Sequence, residues 1–208
     1  MNAGSAGSRI NHLLEEAGVA PLDDQTTAKF ASYLSLCLRW NEHLNLSSVR
    51  DNEGIISRHF IESIVVARSI PQEIATLLDF GSGGGLPGIP IAICRPQVTV
   101  TLAESQTKKA AFLQEAVRVL GINAKVHAGR GEALRAVFDC VTLRAVDKMP
   151  KAVRAATKLV APEGWLALMT TNAGLAPLKT AAGPQFSWDP PLRLPGSESR
   201  ILALGRRD

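Results

Sequence analysis

Cysteine is scarce in this chain. Cys37, Cys94 and Cys140 lie far apart in apolar neighbourhoods, and no Cys-x-x-Cys pair occurs. An odd count without that spacing argues against a disulfide framework and a cysteine zinc site, so buried core thiols are expected. Aromatic residues make up only 5% of the chain, with a single tyrosine, Tyr33. No apolar run reaches the roughly 20 residues of a membrane span. The opening MNAGSAGS lacks the apolar core of a secretory signal and reads as a loose tail, residues 1–8, of a cytoplasmic protein. No His-Glu-x-x-His, Ser-His-Asp grouping or strand-ending cysteine nucleophile is evident. No metal site is therefore expected, and no catalytic acid or base is assigned.

What is present is a globular composition, 46% hydrophobic and 20% charged over 208 residues, enough for one core with a small appendage. The net charge of +4 is unevenly placed. Residues 1–80 hold 6 Lys/Arg against 10 Asp/Glu, and residues 81–208 hold 17 against 9. A basic second half favours a polyanionic partner such as nucleic acid.

Three helices are predicted first. One spans residues 9–18 and is stopped by Gly18. A second carries Phe30, Leu34, Cys37 and Leu38 on one face. A third, capped by Asp51 or Asn52, buries Ile55, Ile56, Phe60, Ile64 and Ala67 and closes at Pro71. From Thr76 strands and helices alternate. Strands are predicted at 76–80, 98–103, 124–128, 138–143 and 164–169, with a last strand at 200–205. Helices fall at 87–94, 108–120 and 149–159. This alternation predicts an α/β fold, a mostly parallel doubly wound sheet with a helical N-terminal segment (9–75) preceding a Rossmann-like unit (76–208). Such sheets bind ligands at the carboxyl ends of their strands. Prolines between 177 and 195 mark loops, and Asp189-Pro190-Pro191-Leu192 reads as a turn. It lacks the aromatic residue of an amino-methyltransferase motif.

The chain is organised around Leu77-Leu78-Asp79-Phe80-Gly81-Ser82-Gly83-Gly84-Gly85-Leu86-Pro87-Gly88, read as strand, tight loop and helix start. Glycines let the backbone turn with positive φ and approach a ligand closely. Two frames compete. Gly83, Gly85 and Gly88 fit the dinucleotide pattern G-x-G-x-x-G, displaced from the strand. Asp79 with Gly81, Gly83 and Gly85 suits the D-x-G-x-G-x-G loop of S-adenosylmethionine-dependent methyltransferases better. Glu104 ends the second strand, where a carboxylate accepts hydrogen bonds from ribose hydroxyls in either cofactor class. Gly131-Glu132 follows the third strand, near where an adenine lies. Arg144 ends a buried run and can hold a carboxylate or phosphate with its guanidinium fork.

Three segments together resemble one family. They are Trp40-Asn41…Asn45-Leu46-Ser47-Ser48-Val49-Arg50 with Arg58-His59; the glycine loop through Leu86-Pro87-Gly88-Ile89-Pro90; and Glu104-Ser105…Lys108-Lys109…Phe112-Leu113 with Arg130-Gly131-Glu132 and Leu143-Arg144-Ala145. They resemble the bacterial glucose-inhibited-division protein B family of ribosomal RNA small-subunit methyltransferases, from about residue 9 to 205. The resemblance implies a class I fold and methyl transfer from S-adenosylmethionine to N7 of a guanine in 16S ribosomal RNA. The expected partner is that RNA or the small ribosomal subunit, and a monomer is expected. The resemblance puts Gly81, Gly83, Gly85 and Leu86 on the cofactor, Glu104 on the ribose and Gly131 and Glu132 on the adenine side. Arg144 becomes a positioning residue in the cleft, on cofactor or substrate. Asn41, Arg58, His59 and Arg200 become candidates for the RNA side. Where the family places a lysine after the fifth strand, this chain has Met169-Thr170. A nicotinamide oxidoreductase, or an RNA-binding module with a relic loop, are the alternatives. The first needs a Tyr-Lys pair, and Tyr33 lies in an N-terminal helix.

Overall fold

The computed structural model describes residues 3–42, 44, 46 and 51–208. The family block at 40–50 lies in part outside them, at Asn45, Ser47, Ser48, Val49 and Arg50. The N-terminal segment begins with α1 (Ala3–Glu16) and α2 (Asp24–Asn41). Residues 1–8 were expected to be loose, but of these the described residues 3–8 belong to α1. Small residues there serve close packing. Ala6 is buried, and a Cβ on Gly7 would meet the Thr27 Cβ at 3.2 Å. Asp23 caps α2 by accepting a hydrogen bond from the Thr26 N–H at 2.8 Å.

Residues 52–69 form one run: α3 (Asn52–Gly54), a π-helical turn (Ile55–Phe60) and α4 (Ile61–Ser69). π turns concentrate at functional sites. Here the widened turn buries Ile55, Ile56 and Phe60 while Arg58, His59 and Glu62 line one cleft.

The sheet has eight strands: β1 (Thr76–Phe80), β2 (Thr99–Glu104), β3 (Ala124–Ala128), β4 (Phe138–Arg144), β5 (Val160–Thr171), β6 (Phe186–Trp188), β7 (Leu192–Arg193) and β8 (Arg200–Arg207). Their order is β3-β2-β1-β4-β5-β8-β6, with β7 also on β8. The pairs among β1 to β5 are parallel, and β8 runs antiparallel to β5, β6 and β7. Four helices accompany them: α5 (Gly88–Cys94), α6 (Thr107–Leu120), α7 (Met149–Ala156) and α8 (Asn172–Ala182). From β1 the chain winds outward through β2 and β3, then returns to place β4 on the other side of β1. That reversal opens a crevice at the strands' carboxyl ends.

Alternating side chains divide the core between the two faces of the sheet. Leu77, Val100, Leu102 and Cys140 join the N-terminal helices, α5 and α6. Leu78, Ala103, Val141 and Leu143 join α7 and α8. The core thiols Cys37 and Cys140 are buried, but Cys94 is only half-buried. Burial pushes all three up to about 12.

The loops expected between residues 177 and 195 contain an unforeseen helix end and two short strands. Pro177 sits in the second turn of α8, where one backbone hydrogen bond is lost, and Thr171 anchors the helix by accepting from the Gly174 N–H at 3.1 Å.

Candidate functional site

The glycine loop joins β1 to α5 and is braced from below. Asp79 is 1% exposed. It accepts hydrogen bonds from the Thr142 hydroxyl at 2.8 Å and the Gly88 N–H at 3.3 Å. Burial pushes its carboxyl up to about 6. Asp79 is therefore an internal strut of the loop. The glycines divide into two groups. Gly81, Gly83 and Gly84 line the cleft with Leu86. Gly85, at φ +84°, faces inward, where a Cβ would meet the Ile89 Cδ1 at 2.4 Å. By contrast, a Cβ on Gly83 would meet nothing closer than the Gly81 carbonyl oxygen at 4.0 Å.

A second brace comes from α2. Tyr33 is fully buried, stacks on Phe60 with ring centroids 5.2 Å apart, and donates its hydroxyl hydrogen to the Gly84 carbonyl. Its contact with the loop spans 51 residues of chain, so no local pattern signals it.

Glu104 closes the opposite wall at the end of β2. One carboxylate oxygen accepts from the Gly83 N–H at 2.9 Å and the other from the Gln106 N–H at 2.7 Å. An ionised carboxylate has about four acceptor positions, so about two stay open toward the cleft. That fits a vicinal diol.

The far wall is a cluster around Glu62, itself 1% exposed. Its carboxylate accepts from Arg144 Nη2 at 3.2 Å and from Arg200 Nε. Burial raises the Glu62 carboxyl, and Arg144 and Arg200 oppose that shift. His59 Nδ1 lies 2.8 Å from Arg144 Nη2. Burial first, then Arg144, Arg58 and Arg200, push this imidazole down to about 4, so it is neutral and accepts from the guanidinium. Arg144 Nη1 is buried without a hydrogen-bond partner. The backbone after Arg144 is strained, with non-glycine φ values of +49° at Ala145 and +52° at Lys148. Glu62, like Tyr33, has a place at this cleft that no local sequence pattern signals.

These groups surround one cleft of about 780 Å³. It brings together Gly81, Gly83, Leu86, Glu104, Arg144, Arg58, His59 and Arg200 among the expected residues. Gly85, Asn41, Gly131 and Glu132 are not among its lining residues. Asn41 is buried and accepts from the N–H of Leu46 at 3.0 Å, and Leu46 lines the cleft. Gly131 packs beneath β1, where a Cβ would meet the Phe80 ring at 2.5 Å. Glu132 is exposed and lines a separate groove. Met169, Thr170 and Thr171 line the cleft at the end of β5, and the nearby cation is Arg200, whose Cα pairs with Thr171 across the sheet.

Known proteins resemble this chain in sequence and in fold. The rRNA small subunit methyltransferase G family matches residues 26–181. The ribosomal RNA small subunit methyltransferase G of Xanthomonas euvesicatoria pv. vesicatoria (strain 85-10) is 38% identical over 216 residues, covering 100% of both chains. That of Neisseria meningitidis serogroup A is 42% identical over 159 residues, 74% of this chain and 76% of its own. Among solved structures, an O-methyltransferase of Bacillus cereus in complex with SAH superposes with a TM-score of 0.62 at 18% identity, covering 99% of this chain and 100% of that one. A putative O-methyltransferase of Klebsiella pneumoniae gives 0.60 at 15% identity, covering 99% of each chain. The fold is the Rossmann-like fold of class I S-adenosylmethionine-dependent methyltransferases. With the fold, a family model matched over residues 26–181 and a relative matched along its full length, the chain belongs to the rRNA small subunit methyltransferase G family.

Proposed function

We propose that this protein transfers a methyl group from S-adenosylmethionine to N7 of a guanine in 16S ribosomal RNA. The observation that carries the reading is the cleft itself. It joins the glycine loop, the open acceptor positions of Glu104 and the free Nη1 of Arg144 at the carboxyl ends of β1, β2 and β4. The residues fit the cofactor. Gly81, Gly83 and Leu86 would pack along it, and Glu104 would accept from the ribose hydroxyls. The remaining Nη1 hydrogens of Arg144 would donate to a carboxylate or to a substrate oxygen.

S-adenosylmethionine supplies an electrophilic methyl group on a sulfonium. Guanine N7 carries an in-plane lone pair and attacks without losing a proton, so no general base is required. The buried titratable groups of the cleft agree with this. Glu62 is held by two guanidiniums, His59 accepts from Arg144, and Glu104 receives two backbone N–H groups. What the chain supplies is alignment and electrostatics, which contribute several kcal/mol when the reactants are held in line. Glu62 has a further role here. The product base is cationic, and Arg144 alone would oppose it. The Glu62 carboxylate offsets that charge at 3.2 Å.

Residues 9–75 would act as a brace for the cofactor loop, and residues 76–208 as the methyltransferase unit. Gly85, Gly131 and Glu132 would contribute through the loop and the adenine side, beyond the cleft as it stands. Among the described residues no helix is long and apolar enough to cross a membrane, and no group of side chains could hold a metal ion. We further infer that the protein acts in the cytoplasm, as a monomer, on the small ribosomal subunit. The test is a map of 7-methylguanosine in 16S ribosomal RNA from cells with and without the gene. One guanine should lose its modification in the deletion, and purified protein with S-adenosylmethionine should restore it. An identical map overturns the reading.

A further inference from the structure

The cations of the second half are not spread evenly. Lys148, Lys151, Arg154 and Lys158 recur at intervals of three, three and four residues, from the residue that precedes α7, through the helix, to the turn that follows. All four are exposed, while Ala152, Val153 and Ala156 bury the opposite face against the sheet. Among the described residues none of the four forms an ion pair. Acids near the row are few: Asp147 at the cleft end, and Glu132 beside Lys158.

The row has a direction. Lys148 lies between Asp147 and Met149, which both line the cleft. At the other end Lys158 shares a groove of about 260 Å³ with Arg135 and the exposed Val137. At about 1.5 Å per residue the four cations span roughly 15 Å. That matches two to three phosphate steps of a nucleic acid strand, and uncompensated lysines and arginines bind such a strand by releasing its counterions. The N-terminal side of the cleft offers one exposed cation, Arg58, rather than a row, since His59 is neutral and Arg200 is paired to Glu62.

We propose that the exposed face of α7 is a phosphate track, carrying the backbone of the RNA substrate from the cleft mouth at Lys148 toward Lys158 and Arg135. The proposal rests on the RNA-methyltransferase reading and specifies which surface the RNA follows. It places the strand over the β4–β5 side of the sheet, away from Asn41 and Arg58.

The test compares three full-length proteins: wild type, Lys151→Glu/Arg154→Glu, and the control Arg118→Glu/Lys125→Glu. The control makes the same change in net charge at exposed positions of α6 and β3, off the track. Binding to 16S-derived RNA is measured against salt, with methyl transfer to small subunits and calorimetric binding of S-adenosylmethionine alongside. In the α7 variant the slope of log K against log salt should fall by about 2. Its KM for RNA should rise about tenfold or more, with kcat and cofactor affinity unchanged. The control should match wild type. An α7 variant with wild-type slope and KM overturns the track, and so does a control that loses as much. If wild type transfers no methyl to any RNA, the enzymatic reading fails. The salt slopes still decide whether α7 binds the strand.

Discussion

The Glu62 cluster shows how single residues acquire roles from their surroundings. His59 would ordinarily titrate near neutrality, yet burial and three arginines hold it neutral down to about 4. Asp79 is displaced the other way, up to about 6 from an ordinary 3.8. The two act oppositely on stability. For His59 the unfolded chain takes up the proton first, so its contribution is present above its ordinary 6.5 and is lost as pH falls through about 4. For Asp79 the folded chain takes up the proton first, so stability is greatest below 3.8 and declines as pH rises through about 6. Urea unfolding at pH 7.5 and pH 4.5 reads both. His59→Gln should shrink the acid-side loss by on the order of 2 kcal/mol, and Asp79→Asn should deepen it. An unchanged difference in His59→Gln would show that the ring is not held neutral.

At the scale of elements, the decisive relation is between α2 and the glycine loop. Tyr33 donates to the Gly84 carbonyl while its ring stays stacked between Phe60 and Phe112. Tyr33→Phe removes only the hydroxyl, so packing persists and the carbonyl loses its donor. The expected cost is about 1 kcal/mol of stability, with a weaker grip on S-adenosylmethionine of about three- to tenfold in calorimetric Kd. Unchanged affinity would mean that the loop holds its shape without the N-terminal helices. The strand–loop–helix alternation from Thr76 was legible because hydrophobic period is a local property. Glu104 and Arg144 were legible as polar ends of buried strands. The braces were not, because they join distant segments. Glu62 meets Arg144 across 82 residues and Arg200 across 138. β6 and β7, three and two residues long, carry too little pattern to register, and Pro177 disguised α8 as a loop. The small residues of the first eight misled in the other direction. Gly7 and Ala6 read as flexibility, but they let α1 approach α2.

For the molecule as a whole, the N-terminal helices and the sheet share a core. Ile10 and Leu14 of α1 belong to the same buried cluster as Leu77, Leu102, Ala167 and Leu202 of the central strands. A shared core makes the chain unfold as one unit, and any ligand of the cleft then stabilises α1 as well as the loop. Scanning calorimetry should show a single transition. At about 100 times Kd, S-adenosylmethionine should add about 2.7 kcal/mol, moving that transition by roughly 5–10 °C. Leu14→Ala, remote from the cleft in a fully buried position of α1, should lower the same transition by about 2–5 kcal/mol without splitting it. A variant that melts in two steps, with only the later one moved by cofactor, would show instead that the helical segment is a separate unit. The Tyr33 brace would then be a contact between domains, and cofactor affinity in Leu14→Ala would track the occupancy of the folded helices. With one core it tracks global stability alone, so cofactor Kd measured well below the transition should equal that of wild type.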